Sequence, residues 1–368
     1  MKRFIRDLIS VMVIIGFATT VCGGAVFILA GDKIVDFVQV GLARFALSSR
    51  QDQLNRGVSN DSTPVRFVVE PGDTPRIIAS NLFDNGLIVD DDLFLSYIRA
   101  NEYDTELEAG TYFFNRAQSI PEIAVALTDS AASQFPFRIL EGWRIEEIAA
   151  VIDENPVYFD FTGADFLAVV GPGAVIDQSF REFVGLPDGA SLEGFLYPDT
   201  YQLPAGVTVV QLRDILLQTF LDRVGTQIAE DAREQGYTLY EIVTLASIVE
   251  KEALHDDEHV LIASVYRNRM DIGMNLDADP TVQYGLDGAR GRWWPQITLA
   301  DYRNVDSPYN TYLYNGLPPG PIANPGISAI RGATYPAESN YIYFRARCDG
   351  SGYHDFAITY DEQLANGC

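Results

Sequence analysis

An uncharged apolar run near the N-terminus constrains this chain most. The 23 residues from Leu8 to Ala30 contain no charged side chain. As a helix they would extend about 34 Å, which is enough to span a hydrocarbon core of about 30 Å. We therefore expect a transmembrane helix at residues 8–30. A cleaved signal peptide is the alternative, but its apolar core would be about 7 to 15 residues long.

The charges that flank this run predict its orientation. Lys2, Arg3 and Arg6 lie before it, whereas Lys33 and Arg44 are more widely spaced after it. Positive charge is retained inside the cell, so residues 1–7 are expected to be a cytoplasmic tail and the rest to lie outside. In that oxidising compartment we expect the two C-terminal cysteines, at positions 348 and 368, to pair.

Composition limits the kind of partner. The chain has 368 residues, 47% of them hydrophobic, so it can bury the cores of two or three domains. Its formal net charge is −25, which opposes sequence-independent binding to phosphates. No nucleic-acid partner is expected.

Patterning beyond the apolar run predicts an α+β protein. Residues 31–64 are expected to be a linker, because their latter part is polar and lacks apolar periodicity. Residues 65–130 alternate short strands with helices, and their strand, "PGDT" turn and helix resemble the LysM module, which binds N-acetylglucosamine-containing glycans. Residues 131–235 are predicted to be a connecting α+β region, and residues 236–368 form the remaining domain.

The stretch "LASIVEKEAL" places two acids in an apolar helix. Thr238 and Glu241 form a capping box, so the helix is expected to run from Leu239 to about Ala253. Its apolar stripe is made by Ile242, Ala246, Val249 and Ala253, with Thr244, Ser247 and Lys251 pointing away. On this wheel Glu250 and Glu252 flank the stripe rather than face water.

A carboxyl held against apolar surface has a raised pKa, which suits a general acid near neutral pH. The small Ala246 leaves space beside Glu250. Alternatively, an acid at a helix edge pairs with a basic residue of a neighbouring element, here Arg267 or Arg269. Periodicity alone leaves the choice between Glu250 and Glu252 open.

Several sequence blocks resemble the YceG-like family of endolytic murein transglycosylases. They are "LEGFLYPDTY", "LASIVEKEA", "ASVYRNRMDIGMNLDADPTVQYGL" and "SPYNTYLYNGLPPGPIANPGISAI", in the order of the family. The resemblance covers residues 65 to about 360. It implies a single-pass protein of the inner membrane, with its N-terminus cytoplasmic and a periplasmic catalytic domain at residues 236–368 that acts on peptidoglycan glycan strands.

The resemblance also implies site residues and a mechanism. Glu250 is expected to be the catalytic acid and base, with Glu252 as a supporting residue. Cleavage between N-acetylmuramic acid and N-acetylglucosamine would give a 1,6-anhydro end and need no cofactor or metal. The sequence offers no compelling second carboxylate, which such a reaction does not require. The residues expected to bind or border the substrate are Glu193, Asp279, Thr281, Tyr284, Tyr309, Asn310 and Tyr312.

Two other interpretations remain. "HDDEH", from His255 to His259, has the spelling of an inverted zinc-peptidase motif, with His354 as the only further histidine. Alternatively, the chain is a catalytically silent scaffold that binds the wall and recruits cell-wall synthases. Trp293 and Trp294 can either stack on sugars or pack the domain.

Overall fold

The computed structural model describes residues 47–288 and 290–367. The predicted tail and membrane-spanning segment, residues 1–30, lie outside these ranges. Within them, no helix is both long and apolar enough to cross a bilayer. The described residues form a mixed α+β structure that divides into two compact units, one ending at Gln134 and the other beginning at Phe135.

The first unit has two helices between two paired strands. Its elements are α1 (Gln51–Leu54), β1 (Val65–Val69), α2 (Pro75–Asp84), α3 (Asp91–Ala100), β2 (Gly110–Phe114) and α4 (Ile120–Ala126). β1 and β2 are antiparallel, with Val65 opposite Phe114 and Val69 opposite Gly110. The strand and helix order predicted for this region is therefore confirmed.

Local signals define the helices of this unit. The Thr74 side chain accepts a hydrogen bond from the Ile77 amide, and proline occupies the first helical position of α2. The Asp90 carboxylate caps α3 at the Leu93 amide. Both helices contribute buried apolar side chains to one cluster with the β1–β2 ribbon, so the unit has its own core.

The segment before β1 departs from the linker prediction. Leu54 is 7% exposed and joins the core of the first unit. The Arg50 guanidinium donates to the Asp90 carboxylate at 2.7 Å, and the Ser59 amide donates to the Arg116 carbonyl. The polar composition predicted a linker here. It gave no sign of these contacts, because the partners are distant in sequence.

The second unit contains most of the helices. Its first strand, β3 (Gln134–Arg138), begins at the last residue of the first unit. The other elements are α5 (Ile145–Glu154), α6 (Gly163–Val170), α7 (Gln178–Val184), β4 (Thr200–Pro204), α8 (Val209–Glu234), α9 (Leu239–Glu252), α10 (His259–Asp271), α11 (Asp279–Gly285), α12 (Asp301–Asn304), α13 (Ile327–Thr334), β5 (Tyr343–Ala346), β6 (His354–Ala357) and α14 (Tyr360–Ala365). β3 pairs with β4, and β5 pairs with β6. The boundary predicted at residue 235 inside this unit stays a prediction.

α9 lies at the centre of the second unit. The Thr238–Glu241 capping box is present, and the helix begins at Leu239 as predicted. The predicted polar face is wrong, because Thr244 and Ser247 are 1% and 0% exposed. Their hydroxyls donate to the Tyr240 and Thr244 carbonyls, which satisfies them without water. A helix that is packed on all sides has no distinct polar face, so its sequence shows no clear hydrophobic periodicity.

The C-terminal part forms a small antiparallel hairpin of β5 and β6 followed by α14. The His354 ring and amide bond the Glu258 carboxylate, at 2.9 and 2.8 Å, which ties β6 to the turn before α10. Cys348 is disulfide-bonded. Its predicted partner, at position 368, lies outside the described residues.

Candidate functional site

Glu250 lies in the last turn of α9, where the helix reaches the edge of the core. Its side chain is half-buried. Oε2 accepts a hydrogen bond of 3.1 Å from the amide of Gly326, the residue that precedes α13. The carboxyl is therefore held at the N-terminus of a second helix while part of it stays accessible to solvent.

The environment of Glu250 raises the pKa of its carboxyl to about 7, chiefly because burial penalises the charged form. The Gly326 amide opposes this shift by bonding the carboxylate. The negative charges of Glu141 and Asp256 add to the rise, and the Lys251 ammonium opposes it. Near neutral pH the carboxyl is thus balanced between its acid and base forms.

The ion-pair alternative for Glu250 is not observed among the described residues. The Arg267 guanidinium donates to the Gln235 side chain at 2.9 Å. The Arg269 guanidinium donates to the carbonyls of Leu276 and Ile342, both at 2.6 Å. Both cations are thus engaged elsewhere, and within residues 47–288 and 290–367 no basic side chain forms an ion pair with Glu250.

Glu252 turns towards α10. Its Oε1 accepts a hydrogen bond of 2.8 Å from the Tyr266 hydroxyl, and Tyr266 is 1% exposed. Burial raises the pKa of Glu252 to about 7, and the Tyr266 hydrogen bond opposes that rise. Both glutamates are half-buried and share a similar pKa. They differ in partner: Glu252 bonds the buried Tyr266 hydroxyl, whereas Glu250 bonds only a backbone amide in the hydrogen bonds described, which favours Glu250 for chemistry on a bound polymer.

Replacing Glu252 with glutamine is expected to flatten the pH dependence of folding stability. A pKa of about 7 in the folded state exceeds the reference value of 4.5, so the protonated carboxyl stabilises the fold below about pH 4.5. That stabilisation, at most about 3 kcal/mol, is lost as pH rises through 7. Glutamine keeps an acceptor for Tyr266. Urea unfolding at pH 5 and pH 8 measures the difference, and an unchanged slope in Glu252→Gln would contradict the assignment.

A loop before α5 covers the end of α9. The Lys251 ammonium donates to the Gly142 carbonyl at 3.2 Å and lies 4.0 Å from the centroid of the Trp294 ring. A Cβ added to Gly142 would lie 3.2 Å from Lys251 Nζ and 3.6 Å from Glu250 Cγ. The loop therefore needs glycine at this position, both for this close approach and for its φ of +74°.

Asn324 connects this loop to the turn that contains Glu193. Its Oδ1 accepts from the amides of Gly194 and Leu196, both at 3.0 Å. Its Nδ2 donates to the Trp143 carbonyl at 2.9 Å and to the Glu193 carboxyl at 3.1 Å. All side-chain hydrogen-bonding positions of Asn324 are thus used, and the residue is 0% exposed.

Glu193, expected to bind substrate, lies in the interior. It is 0% exposed, and both carboxyl oxygens accept from the Ile145 amide, at 3.2 and 3.3 Å. Burial raises the pKa of Glu193 well above its usual range, and the charge of Glu146 adds to this. In this structure Glu193 holds the start of α5 rather than facing the accessible site.

An aromatic wall continues from Lys251. The Arg144 guanidinium, 1% exposed, lies 4.1 Å from the Tyr284 ring centroid, 5.1 Å from that of Trp293 and 5.9 Å from that of Trp294. The rings of Tyr284 and Tyr309 are 4.6 Å apart. The structure thus brings these two predicted tyrosines together.

Asp279 and Tyr312 form a second group nearer to Glu252. The Tyr312 hydroxyl donates to Asp279 Oδ1 at 2.6 Å, and the Tyr302 hydroxyl donates to Oδ2 at 3.3 Å. The Tyr302 and Tyr312 rings stack with centroids 4.2 Å apart. Both tyrosines border an open surface cavity of about 550 Å³.

Two other predicted site residues are enclosed. The Thr281 hydroxyl donates to the Ala278 carbonyl at 2.6 Å and is 0% exposed. The Asn310 side-chain Nδ2 donates to the carbonyls of Tyr302 and Val305, so the donor groups of this side chain are used inside the loop. Neither side chain offers a free polar group to a sugar in this conformation.

The "HDDEH" residues diverge. His255 stacks on Tyr353 with ring centroids 3.9 Å apart, and His259 bonds the Ser328 hydroxyl at 2.9 Å. Glu258 bonds His354. Across residues 47–288 and 290–367, no group of three histidine, cysteine, aspartate or glutamate side chains is arranged to hold a metal ion.

Sequence reasoning missed four residues that build the site: Glu141, Arg144, Asn324 and Gly326. Glu141 and Arg144 lie in "LEGWR", within the predicted connecting region, and Asn324 and Gly326 lie in "IANPG", within one of the blocks that resemble the family. A charged residue beside a glycine, and an asparagine before Pro325, are weak local signals. Their importance arises from a pairing between segments about 180 residues apart.

Comparison with known proteins gives one consistent result. The family model described as the YceG-like family matches residues 67–367. An endolytic murein transglycosylase of Bacillus subtilis (strain 168) is 31% identical over 307 residues, which cover 80% of this chain and 82% of that protein. A protein of the same name from Streptococcus pneumoniae serotype 2 is 28% identical, with 78% of this chain aligned to 55% of it.

A solved structure agrees with this result. A YceG-like protein from Listeria monocytogenes superimposes with a TM-score of 0.55 at 28% sequence identity. The match covers 83% of this chain and 99% of that one. Sequence and structure therefore agree over most of the described residues.

Proposed function

The chain belongs to the YceG-like family, and from this premise we propose that it is a lytic transglycosylase that cuts peptidoglycan within the glycan strand, with Glu250 as its acid–base group. The observation that carries the residue assignment is the position of Glu250. It is half-buried, lacks a counter-ion among the described residues and is bonded by the Gly326 amide. Its carboxyl has a pKa of about 7.

The proposed reaction needs no water. Glu250 gives its proton to the oxygen that bridges N-acetylmuramic acid to N-acetylglucosamine, and the bond from that oxygen to the anomeric carbon breaks. The 6-hydroxyl oxygen of the muramic acid then bonds the anomeric carbon, and its proton returns to Glu250. One carboxyl therefore serves as acid and then as base, and a 1,6-anhydro end is formed.

The Gly326 amide supports the middle of this cycle. After proton donation Glu250 is a carboxylate, which the amide and the N-terminal end of α13 stabilise. Burial favours the opposite form. These opposed effects keep the free-energy difference between the two protonation states small, which suits a group that must both give and take a proton.

Neighbouring side chains supply a surface for the glycan. Four aromatic side chains are partly exposed: Tyr284, Tyr309, Trp293 and Trp294. Trp294 lies against Lys251, and Arg144 joins Trp294 to Trp293 and Tyr284. Apolar faces of pyranose rings stack on such surfaces. The antiparallel ribbon with two helices in the first unit is proposed to bind N-acetylglucosamine-containing glycan, as its resemblance to LysM suggests.

We further propose that residues 8–30 anchor the enzyme in the inner membrane, with its N-terminus cytoplasmic and both units periplasmic. This rests on the length of the uncharged run and on the distribution of basic residues around it. An anchored enzyme would meet glycan strands as they are made, together with the cell-wall synthases that make them.

The chemical identity of the product tests the function. Purified protein incubated with isolated peptidoglycan is expected to release internal fragments with 1,6-anhydro ends, whose mass is one water lower than that of hydrolysed ends. Mass spectrometry distinguishes the two. Hydrolysed ends that disappear with a chelator would favour zinc hydrolysis, and glycan binding without new ends would favour the scaffold.

A further inference from the structure

Glu141 lies next to a backbone pairing that also positions Gly326, the residue whose amide bonds Glu250. The loop before α5 meets the segment before α13 through two hydrogen bonds of 2.8 Å. In one the Gly142 amide donates to the Asn324 carbonyl, and in the other the Asn324 amide donates to the Trp143 carbonyl. This pairing fixes Glu141 relative to Gly326, two residues beyond Asn324.

Both glutamates contact Gly326. Its amide donates to Glu250 Oε2 at 3.1 Å. A Cβ added to Gly326 would lie 1.9 Å from Glu141 Oε1 and 2.3 Å from Glu141 Cδ, so the Glu141 carboxyl occupies the space of the missing side chain. The φ of Gly326 is −74°, which any residue adopts. A side chain at this position would therefore have to displace the Glu141 carboxyl.

We propose that Glu141 is a positioning residue for Glu250, which it holds in its proton-donating state and in its contact with Gly326. The inference rests on the proposed function of Glu250 and extends it to a second carboxyl. Glu141 acts through charge and through Gly326 and transfers no proton itself. The enzyme thus uses two carboxyls with only one in the reaction.

The charged groups around Glu250 support this role. Glu141, from the loop before α5, and Asp256, from the turn before α10, both disfavour a negative charge on the Glu250 carboxyl. Lys251 of α9 has the opposite effect, but its ammonium is directed at Gly142 and Trp294. Burial and the charge of Asp256 also raise the pKa of Glu141.

The test compares Glu141→Gln and Glu141→Asp with the full-length enzyme. In the wild type, kcat/KM is expected to fall as pH rises through about 7, because the donor must be protonated. In Glu141→Gln this fall in kcat/KM should occur about half a pH unit lower. On the alkaline side that shift corresponds to a rate about threefold lower than that of the wild type. Glu141→Asp should restore much of the difference, and Glu154→Gln, an exposed site on α5, should match the wild type.

A direct titration separates this inference from the function. Carbon-13 NMR of labelled glutamate follows the Glu250 carboxyl without substrate, with the Glu250→Gln spectrum to assign it. A lower midpoint in Glu141→Gln supports the coupling even if no anhydro product is ever found. An unchanged midpoint and pH profile would overturn it, as would equal loss of activity at every pH in both Glu141 variants.

Discussion

Glu250→Gln is expected to lower the rate of anhydro-end formation by about 10³-fold, since a positioned general acid and base contributes about 10²- to 10⁴-fold. Glutamine can still accept the hydrogen bond of the Gly326 amide, which in the wild type joins Glu250 Oε2 at 3.1 Å. It cannot give or take a proton at the glycosidic oxygen. The variant should therefore fold and bind glycan normally while failing at the chemical step.

Two controls make the result specific to this carboxyl. Glu234→Gln changes an exposed glutamate at the end of α8 and should retain wild-type activity. Binding of Glu250→Gln to insoluble peptidoglycan, measured by sedimentation, should equal that of the wild type. If Glu250→Gln keeps more than a tenth of the activity while Glu252→Gln loses it, the assignment of the two acids is reversed.

The helix that carries both acids shows what the sequence can and cannot predict. Its start at Leu239 follows from the Thr238–Glu241 capping box, a local signal. Its predicted polar face is wrong because Thr244 and Ser247 are satisfied inside the core, where Ser247 also accepts from the Ile322 amide. On a helical wheel, buried polar residues that bond the backbone of their own helix cannot be distinguished from surface residues.

The same distinction applies to the candidate site. Residue types identified Glu250 and Glu252 as acids beside apolar surface, and their pKa values are both raised as expected. What separates them is which neighbour each meets, Gly326 or Tyr266, and these contacts join positions that sequence patterns do not pair. Only tertiary structure supplies that information.

Predicted substrate contacts divide in a related way. Tyr284 and Tyr309 meet in a partly exposed wall, whereas Asn310 and Thr281 use their polar groups within their own loops. Small polar side chains in a loop serve its backbone as readily as a ligand. Among these predicted contacts it is therefore the two tyrosines, not the small polar residues, that mark the accessible surface.

Asn324→Leu is expected to destabilise the second unit by about 3 to 5 kcal/mol, the largest effect on folding that we predict. Leucine has a similar volume but removes the partner of two buried amides, those of Gly194 and Leu196. It also removes one hydrogen bond each from the Trp143 carbonyl and the Glu193 carboxyl, which keep others. Each buried group left without a partner costs about 1 to 3 kcal/mol, offset in part by relaxation and water entry.

Denaturant unfolding followed by tryptophan fluorescence measures the loss of stability in the second unit. All three tryptophans, at positions 143, 293 and 294, lie in that unit. Asn315→Leu, at an exposed position, should change the unfolding free energy by about 0.5 kcal/mol or less. A loss below about 1 kcal/mol in Asn324→Leu would mean that the segments it joins hold together without it. Since the same pairing places Glu141 and Gly326 beside Glu250, the surviving folded protein should then also keep its activity.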